Sequence, residues 1–524
     1  MCGILAIFNK KMPKNLKTIL ESCQSLKNRG PDKTVSRITS TGIYMFHRLA
    51  INDTSSRGDQ PMFSQGVMLM CNGEIYNCEK LAKEYNLNLN SKSDCEVILQ
   101  LYHKFGFVET ITKLDGVFAV VLVDGDMVYL ARDRIGVRPL FTGTTSDGDL
   151  SVCSVVNPLL KFCGSVEAFP PGLIAKYSKE DFFPIITPIY KDAIRIPLSR
   201  INNAAERLHN ILLESVKKRL LSDRPIACLL SGGLDSSIVT ALLCKLSPYK
   251  VRTYSVGMEG STDLHYAKIV AKHLGTEHHE ILFTPEEGFS CVQKVIEILG
   301  SYDITTIRAS VGMYIVSKFI KEKGKDVVIM SGEGADELLC GYLYFHNAPN
   351  CNEAEKETLS LVKNLYLYDV LRADRIISSQ GLELRVPFLD KNVVDTVLSI
   401  PAVDKIPMDG YEKFFLREAF ENYLPKEVLW RQKCAFSDGV SSVKKSWYQH
   451  IQEMVENKIP DEIYNPKKYV SKEAMYYKLI FDSLFPGYNL EIPYWMPKWS
   501  DAKDPSARTL KVCAEKDVSG SEWA

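Results

Sequence analysis

The sequence predicts two joined domains: an α+β half built on antiparallel sheets, then an α/β half built on a doubly wound parallel sheet with a helical C-terminal part. Three observations predict this fold class. The chain has 524 residues, which is more than one hydrophobic core ordinarily serves. Up to about residue 190, short apolar runs alternate with turn residues. From residue 204 onward, strand-like runs alternate with stretches of helical periodicity.

Five apolar runs of strand length divide the first half of the chain, and turn residues bound each of them. They are residues 3–8, 43–47, 67–71, 117–124 and 128–131. We expect these runs to form packed antiparallel sheets with a few helices between them. Prolines multiply and periodicity fades within 169–197, which predicts a boundary between a first domain, 2–190, and a second, 200–510.

The second half begins with helical periodicity and continues with alternating elements. In order these are a helix in 204–216, a strand at 228–230, a helix at 236–246, and strands at 252–256 and 326–330. Strands that alternate with helices form a parallel sheet. Beyond residue 330 the pattern is largely helical, and the short polar segment 511–524 predicts a flexible tail.

Composition is that of an ordinary globular protein, with 45% hydrophobic residues, 24% charged residues and a formal net charge of +0. This balance does not favour a nucleic-acid partner. The 14 cysteines are scattered, which indicates reduced thiols rather than a disulfide framework. The apolar start at 4–8 is too short for a signal peptide or a membrane span, so we expect a cytoplasmic protein with no membrane partner.

Cys2 becomes the first residue once Met1 is removed, and it then carries a free α-amine beside its thiol. An amine with a reference pKa of about 8 can serve as the base for that nucleophile. The pattern therefore predicts amide cleavage. Attack on an amide also needs donors aimed at the oxyanion, and Asn72 with the Gly73 N–H is a suitable pair. Asn-Gly is equally the commonest pair in a hairpin turn, and spacing alone favours the turn.

A free amino-acid substrate also carries a carboxylate and an ammonium group. An arginine fork and an acidic side chain are the expected partners, and Arg48 and Asp94 fit these two roles. Each of them alone is more often part of a surface ion pair.

Five motifs in one order resemble class II glutamine amidotransferases. They are residues 1–4 (MCGI), 29–32 (RGPD), 47–49 (HRL), 72–77 (NGEIYN) and 132–140, which contains RD followed by GVRPL. The resemblance implies an N-terminal-nucleophile sandwich of αββα layers, with Cys2 as nucleophile and Asn72 and Gly73 as the oxyanion hole. It implies that glutamine is bound by Arg48, Leu49, Ala50, Ile51, Asn52, Asn72, Gly73, Glu74 and Asp94.

A glycine- and serine-rich loop occupies residues 231–237 (SGGLDSS), between a predicted strand and a predicted helix. Such a loop presents backbone N–H groups and a helix N-terminus to a pyrophosphate. It lacks the lysine of a Walker A sequence, which disfavours transfer of the γ-phosphoryl group. Attack on the α-phosphate requires the other phosphates to be neutralised, and Asp235 and Asp336 are plausible Mg²⁺ ligands. A tight turn and a solvated helix start are the structural alternatives.

The loop resembles that of the ATP-pyrophosphatase group, and four further motifs resemble glutamine-hydrolysing asparagine synthetases. These motifs are residues 302–310, 331–337, 381–390 and 435–440. Residues 495–499 (WMPKW) and 504–510 (DPSARTL) resemble the eukaryotic type of that family in particular. The resemblance implies that ATP is bound by Leu230, Ser231, Gly232, Gly233, Asp235, Ser236, Val256, Ser331, Gly332 and Lys433. It implies Mg²⁺ on Asp235 and Asp336, and a role for Glu333 in forming and breaking an aspartyl-adenylate. Glu383 and Arg385 are interpreted mainly as a structural ion pair.

Four positions depart from the family pattern. Asn28 replaces a histidine, Cys434 replaces a glutamate beside Lys433, and Val155 and Asn157 replace a glutamate and a lysine. A carboxylate missing beside Lys433 predicts a change in turnover or metal dependence. Valine at 155 suits an apolar contact between domains better than a charged cleft.

We interpret the chain as an enzyme that converts aspartate, glutamine and ATP to asparagine, glutamate, AMP and pyrophosphate. Ammonia must then travel unprotonated between the domains, which requires an internal apolar passage. Other hypotheses are a ligase for a different carboxylate, a β-lactam-forming relative, a tRNA-modifying enzyme and a catalytically silent regulatory protein. Cys2 argues against the β-lactam enzyme, and the missing basic surface and zinc cysteines argue against the tRNA enzyme. A homodimer stays open.

Overall fold

The computed structural model describes residues 1–9, 15–39, 42–189, 204–442 and 444–510. The predicted tail, 511–524, and the predicted domain boundary, 190–200, lie outside the described residues.

The described strands form three sheets. In chain order they are β1 (Gly3–Phe8), β2 (Lys33–Thr39), β3 (Gly42–Arg48), β4 (Met62–Ser64), β5 (Val67–Ile75), β6 (Gly116–Asp124), β7 (Met127–Arg132), β8 (Phe141–Thr145), β9 (Leu150–Cys153), β10 (Cys163–Ala168), β11 (Leu173–Ser178), β12 (Ile185–Pro188), β13 (Ile226–Leu229), β14 (Arg252–Gly257), β15 (Glu277–Leu282), β16 (Val328–Met330) and β17 (Glu383–Arg385).

The described α-helices are concentrated in the second half. They are α1 (Leu16–Cys23), α2 (Cys78–Glu84), α3 (Glu96–Phe105), α4 (Phe107–Lys113), α5 (Val156–Leu160), α6 (Ala204–Lys218), α7 (Leu234–Leu246), α8 (Thr262–Leu274), α9 (Pro285–Ser290), α10 (Val292–Leu299), α11 (Ile304–Lys323), α12 (Ala335–Leu338), α13 (Cys351–Asn364), α14 (Asp369–Ser379), α15 (Lys391–Ser399), α16 (Ala402–Lys405), α17 (Phe414–Ala419), α18 (Lys426–Leu429), α19 (Phe436–Gly439), α20 (Trp447–Glu456) and α21 (Lys472–Leu484). No described helix is long and apolar enough to cross a membrane.

Two antiparallel sheets pack face to face in the first half, with strand orders β10-β8-β9-β1-β3-β2 and β12-β11-β7-β6-β5-β4. Ile4 and Phe46 of one sheet and Met70 and Val121 of the other belong to the core between them. Helices α3 and α4 bury apolar residues against the outer face of the second sheet, and α1 and α5 pack outside the first. The predicted αββα sandwich is confirmed.

A parallel sheet of order β15-β14-β13-β16-β17 forms the centre of the second half, with helices such as α7, α8 and α11 packed around it. Residues such as Cys228 and Met330 on its strands are fully buried. The predicted doubly wound sheet and helical C-terminal part are confirmed. Strands β15 and β17 were not predicted. Strand β15 is mostly polar (EHHEIL), and β17 is a three-residue strand with a charged residue at each end (ELR).

One hydrophobic cluster runs through both halves of the molecule, from Met1 and Val137 to Leu384 and beyond. Buried ion pairs reinforce the contact. Asp374 of α14 accepts hydrogen bonds from Arg29 (3.1 Å) and from Arg138 (3.2 Å), both in the first half. The two halves are therefore joined by a packed interface and not only by the chain that links them.

Three of the four departures from the family pattern lie at this interface. Val155 is partly buried against the shared cluster, and the Asn157 side chain donates a hydrogen bond to the carbonyl of Glu297 (3.3 Å). The Asn28 carbonyl lies so close to Gly381 that a Cβ there would come within 3.2 Å of it. The structure thus shows contacts between the halves at these positions, as valine at 155 suggests.

Candidate active sites

The first site is a small cavity between β5 and the N-terminus, which we call the N-terminal cavity. Its lining includes Cys2, Arg48, Leu49, Ile51, Asn52, Asn72, Gly73, Glu74 and Asp94. Of the predicted glutamine-binding residues, only Ala50 is outside this lining. Ala50 instead donates its backbone N–H to Asp32 (2.9 Å). Residues that are distant in sequence, including Glu383 of the second half, complete the wall.

Cys2 lies at the start of β1, with its thiol 3.8 Å from the Leu49 carbonyl. The Cys2 nitrogen, which is an amide while Met1 is attached, donates to Oδ1 of Asn72 (2.8 Å). Burial raises the pKa of the Cys2 thiol in this state. When Met1 is removed, this nitrogen becomes the α-amine of Cys2, and Oδ1 of Asn72 is already positioned to accept its hydrogen bond.

Asn72 and Gly73 lie inside β5, so the predicted end of this strand at residue 71 is wrong, as is the hairpin alternative. The Asn72 Nδ2 group is buried and has no hydrogen-bond partner among the described residues. Gly73 lies opposite Phe118 of β6. The Phe118 N–H donates to the Asp133 carboxylate (3.2 Å), and the Phe118 carbonyl accepts from the Asp133 N–H (2.9 Å), so neither group bonds to Gly73. A Cβ on Gly73 would come within 2.4 Å of the Val117 carbonyl, which accounts for glycine there.

The acidic groups of the cavity form one network. Asn52 donates to Glu74 (2.7 Å) and to Asp94 (3.2 Å), and Arg385 of β17 also donates to Glu74 (3.1 Å). Burial and the nearby charges of Glu383 and Asp94 raise the pKa of Glu74 well above its ordinary value. Arg385 therefore joins the second half directly to a predicted glutamine-binding residue, in addition to its ion pair with Glu383 (2.9 Å).

Arg48 lines the cavity, but most of its hydrogen bonds serve the loop that follows β3. Its guanidinium donates to the Ser55 carbonyl (2.7 Å), to Asp59 (2.8 Å), to the Asn52 carbonyl (3.4 Å) and to the Asp53 carbonyl. Arg48 thus fixes the loop at 52–59, a role that the sequence did not predict.

The second site is a larger cavity at the carboxyl ends of β13 and β16, which we call the C-terminal cavity. Its lining includes Leu230, Ser231, Gly233, Asp235, Ser236, Val256, Ser331, Gly332, Glu333, Asp336 and Lys433. Among the predicted ATP-binding residues, only Gly232 is outside this lining. Its volume of about 240 Å³ accommodates a small-molecule ligand.

The loop before α7 is shaped for a close approach to its neighbours. Gly232 has a φ of +69°, and a Cβ there would come within 2.3 Å of the Ala267 nitrogen. The Gly232 carbonyl accepts a hydrogen bond from Arg431 (3.2 Å). The Ser231 and Ser236 hydroxyls lie 3.0 Å apart, which closes the turn. Leu234, Asp235 and Ser236, the first three residues of α7, line the cavity.

Two carboxylates and two ammonium groups meet at the floor of the cavity. The Lys413 Nζ contacts Oδ2 of Asp235 (2.6 Å) and Oδ1 of Asp336 (2.6 Å). The Lys433 Nζ contacts Oδ2 of Asp336 (2.5 Å). Burial alone would raise the pKa of Asp336, but the two lysines hold it below its ordinary value.

A single cation can contact both Asp235 and Asp336, because one nitrogen atom already does so. Two carboxylates suit Mg²⁺, which takes oxygen ligands and completes its shell with phosphate and water. The residues therefore fit the predicted ion. Among the described residues, no cluster of three acidic, histidine or cysteine ligands offers another metal site.

Arg372 of α14 organises a second group of charges in the same cavity. It donates two hydrogen bonds to Glu333 (3.2 and 3.0 Å) and one to Asp369 (2.5 Å). Burial raises the pKa of Glu333, against the opposing charge of Arg372. Nearby, Tyr342 donates to Glu337 (2.7 Å). The arrangement places an arginine and three acidic side chains, all of them paired, in one cavity.

Sequence reasoning missed Lys413, Arg372 and Asp369 as site residues. They lie about 180, 140 and 135 residues beyond the loop at 231–237, outside every motif that named a role. Lys413 directly precedes α17 with a φ of +53°, unusual for a residue with a side chain. No local pattern in the sequence signals this conformation.

Cys434 does not take part in the charge network around Lys433. Its thiol makes a weak contact with the Ala435 carbonyl (3.7 Å), and burial and the nearby Asp263 raise its pKa to about 12. Asp336 holds Lys433 instead. The lysine therefore has a carboxylate partner without a glutamate at 434.

Comparison with known proteins identifies the same two halves. The family model for the glutamine amidotransferase domain matches residues 1–209. The family model for asparagine synthase matches residues 207–365 and 352–501.

The chain is similar to relatives over nearly its whole length. The asparagine synthetase [glutamine-hydrolyzing] of Gallus gallus is 44% identical, and the match covers 98% of this chain and 99% of the relative. The Homo sapiens protein of the same name is 43% identical, with 97% and 98% covered. Among solved structures, the glutamine phosphoribosylpyrophosphate amidotransferase of B. subtilis aligns with 54% of this chain and 81% of its own, at 15% identity and a TM-score of 0.32.

Proposed function

This chain belongs to the glutamine-hydrolysing asparagine synthetases, and we propose that its two cavities divide that activity between them. The enzyme forms asparagine in an ATP-dependent reaction and takes the nitrogen from glutamine. The N-terminal cavity is assigned to glutamine hydrolysis, and the C-terminal cavity to activation of aspartate. The unpartnered Asn72 Nδ2 beside Cys2 is the observation that carries the first assignment.

In the N-terminal cavity, the amine that Met1 removal exposes takes the proton of the Cys2 thiol, and the thiolate attacks the glutamine amide. The Asn72 Oδ1 atom orients that amine, and the Nδ2 group and the Gly73 N–H donate hydrogen bonds to the oxyanion. The tetrahedral intermediate collapses to a thioester as ammonia leaves with the proton that the amine had taken. Water then hydrolyses the thioester to glutamate and the free thiol. Glutamine is held by residues 48–52, Glu74 and Asp94.

Two of those contacts are assigned by charge. We assign the substrate ammonium to Asp94 and the substrate carboxylate to Arg48, which must release part of its contact with the loop at 52–59. The rest of the loop contact keeps the guanidinium in place.

In the C-terminal cavity, Leu230 and Val256 bind the adenosine, and the loop from Ser231 to Ser236 binds the pyrophosphate end of ATP. Ser331 and Gly332 complete the nucleotide contacts. Asp235 and Asp336 would hold Mg²⁺, which supplies charge neutralisation to the leaving pyrophosphate. Lys433 stabilises the charge that develops on the phosphates.

Aspartate is activated beside Glu333 and Arg372. We assign the α-carboxylate of aspartate to Arg372 and its ammonium to Asp369, because these charges face the same cavity as the nucleotide loop. The β-carboxylate attacks the α-phosphate, pyrophosphate leaves, and the aspartyl-adenylate forms. Ammonia then attacks the β-carbonyl carbon of the adenylate, and AMP leaves. Glu333, with its raised pKa, takes a proton from the attacking ammonia.

Ammonia reaches the second cavity through the packed interface. Glu383 of β17 lines the N-terminal cavity, and the Arg385 carbonyl of the same strand accepts the N–H of Ser331, which lines the C-terminal cavity (3.0 Å). The short strand β17 thus contributes Glu383 to the first cavity and, through Arg385, supports Ser331 of the second. We propose that the passage runs alongside β17.

The described cysteines are all free thiols, which fits a reducing compartment, and we propose a cytoplasmic enzyme. A homodimer is likewise a proposal, which sedimentation velocity would test.

The activity is tested by mixing the enzyme with glutamine, aspartate, ATP and Mg²⁺ and following asparagine and pyrophosphate together. Equal amounts of both products are expected. Release of ADP and phosphate instead of pyrophosphate would contradict the assignment of the C-terminal cavity. Aspartate omitted from the mixture is the control for pyrophosphate that arises without synthesis.

A further inference from the structure

Among the residues that the structure describes, Lys413 alone forms hydrogen bonds with both acidic groups of the predicted metal pair. Its ammonium lies 2.8 and 2.6 Å from the two oxygens of Asp235 and 2.6 Å from Oδ1 of Asp336. The lysine side chain is 1% exposed, so water does not compete for these contacts. An ammonium group therefore stands at the point where a cation bridging the two carboxylates would bind.

Neighbouring residues fix the position of the Lys413 ammonium group between the two carboxylates. The Lys413 backbone is in the left-handed region, and the preceding Glu412 is fixed by His346 (2.6 Å). A Cβ on Gly341 would come within 2.2 Å of Asp336 and 2.8 Å of Lys413, so only glycine permits their approach. Three separate segments thus converge to hold the ammonium between the carboxylates.

A second cation cannot share this place with the ammonium. Like charges at contact distance repel, and in a buried site solvent screens them little. The Lys433 ammonium already neutralises the other oxygen of Asp336 (2.5 Å), so a free divalent ion would find the pair fully compensated. The polyphosphate of ATP brings the negative charge that would draw Lys413 away.

We propose that Lys413 occupies the cation position between Asp235 and Asp336 while nucleotide is absent, and moves to the phosphates when Mg²⁺ and ATP bind together. This inference rests on the proposed metal role of the two aspartates. It makes metal binding dependent on nucleotide, because the lysine leaves only when a new anionic partner arrives. Free Mg²⁺ then binds the enzyme weakly, and loading without substrate is avoided.

Binding of Mn²⁺, observed by electron paramagnetic resonance without nucleotide, tests the proposal on the full-length enzyme. Lys413→Met removes the charge and keeps a long apolar side chain. We expect it to tighten Mn²⁺ binding by about 10- to 100-fold, the range of one charge-assisted hydrogen bond. Lys405→Met is the matched control, because Lys405 is also buried and paired, with Glu355 (3.2 Å), and lies outside the cavity. It should leave Mn²⁺ binding unchanged.

Three further measurements separate the possible results. Asp336→Asn in the Lys413→Met background should abolish the gained affinity, which places the ion at this pair. The wild-type enzyme alone should bind Mn²⁺ weakly without nucleotide and more tightly with a non-hydrolysable ATP analogue, a comparison that requires no variant to fold. Thermal unfolding should show metal alone stabilising Lys413→Met and not the wild type.

Equal Mn²⁺ affinity for the wild type with and without the analogue would overturn the proposal, as would an unchanged affinity in Lys413→Met. If the gained affinity survives Asp336→Asn, the ion lies elsewhere, and the proposed metal role of the aspartates fails instead. Pyrophosphate release in Asp336→Asn separates these two failures. If this variant loses pyrophosphate release while the Mn²⁺ affinity of the wild type is the same with and without the analogue, the metal role of the aspartates stands and only the proposal for Lys413 fails.

Discussion

The two cavities handle their polar groups in opposite ways. In the N-terminal cavity, the Asn72 Nδ2 group is left without a hydrogen-bond partner among the described residues, while Oδ1 of the same amide accepts from the Cys2 nitrogen. In the C-terminal cavity, Asp235 and Asp336 are paired with lysines before any ligand arrives. The N-terminal cavity thus keeps a hydrogen-bond donor free for a negative charge that forms only during the reaction. The C-terminal cavity has its carboxylates already paired with lysines, and these pairs must rearrange when the charged ligand binds.

The chemistry explains the difference. Amide hydrolysis creates a negative oxygen only in the transition state, so a fixed donor with no other partner stabilises that state and not the ground state. ATP arrives with its charges already present. Before it binds, buried carboxylates without a partner would destabilise the folded protein. Paired charges that can be exchanged keep the second cavity stable when it is empty.

The largest effect is expected where the comparison is sharpest. Cys2→Ala should lower glutamine-dependent synthesis by about 10⁴-fold or more, because the other two thiols of the lining, Cys71 and Cys95, lie inside the chain and have no α-amine beside them to take their proton. Ammonia-dependent synthesis should remain, since the C-terminal cavity does not use the thiol. Asparagine formation with glutamine or with ammonium as the nitrogen source measures both.

Cys163→Ala, a thiol of the same half that does not line the cavity, is the matched control. Loss of both activities in a folded Cys2→Ala protein would contradict separate sites. An extension that blocks Met1 removal should copy the Cys2→Ala phenotype.

Asp336→Asn should slow pyrophosphate release by about 10²- to 10³-fold, the loss expected for one electrostatic contact of the transition state. Glutaminase activity without aspartate should change little. Asp235→Asn should behave in the same way. Asp326→Asn, which loses a buried carboxylate paired with Arg252 (2.6 Å) outside the cavity, controls for stability. Full ligase activity in either variant would remove that aspartate from the metal site.

Asn72→Ala should lower glutaminase turnover by about 10²- to 10³-fold, at the lower end of that range if the Gly73 N–H compensates. The Michaelis constant for glutamine should change less than the turnover, because the donor acts mainly in the transition state. Steady-state glutamate production measures both constants. Asn77→Ala removes a similar amide that bonds to Lys113 (2.9 Å) away from the cavity, and it should be nearly silent in the assay. An effect confined to glutamine binding would argue against the oxyanion role.

The smallest effect is expected at Cys434, where the structure decides between two hypotheses. A glutamate there would be buried near Asp263, whose carboxylate is already matched by Arg431 (3.0 Å). Cys434→Glu should therefore lower the free energy of unfolding by about 1–3 kcal/mol and leave the Mg²⁺ dependence of pyrophosphate release unchanged. Cys434→Ser is the control of similar size. A lower Mg²⁺ requirement in Cys434→Glu would restore the hypothesis that a carboxylate at 434 orients Lys433.

The sequence predicted what is local. Cys2, the Asn72-Gly73 pair and the loop at 231–237 are chemical groups next to one another in the chain, so their motifs carry the signal. The strands that support them, β1 and β13 for example, were also predicted because apolar runs between turns mark them. The extent of β5 was not, since Asn-Gly is a turn signal and the facing strand β6 overrides it.

What the sequence could not predict is pairing over long distances. Lys413 is one of 64 basic residues, and only the folded chain shows that it meets Asp235 and Asp336. Arg385 was interpreted as a partner of Glu383, which is confirmed, but its contact with Glu74 of the other half depends on how the halves pack. Such contacts are properties of the tertiary structure and leave no periodic trace.

We propose that the two cavities work in series, with ammonia released in one and consumed in the other. The decisive experiment is synthesis with amide-¹⁵N glutamine in the presence of excess unlabelled ammonium, with the asparagine analysed by mass spectrometry. We expect asparagine labelled with ¹⁵N well above the fraction that mixing in solution would give, and one pyrophosphate for each asparagine. Labelling equal to that of the mixed ammonium pool would show that ammonia passes through bulk water, and would contradict an internal passage alongside β17.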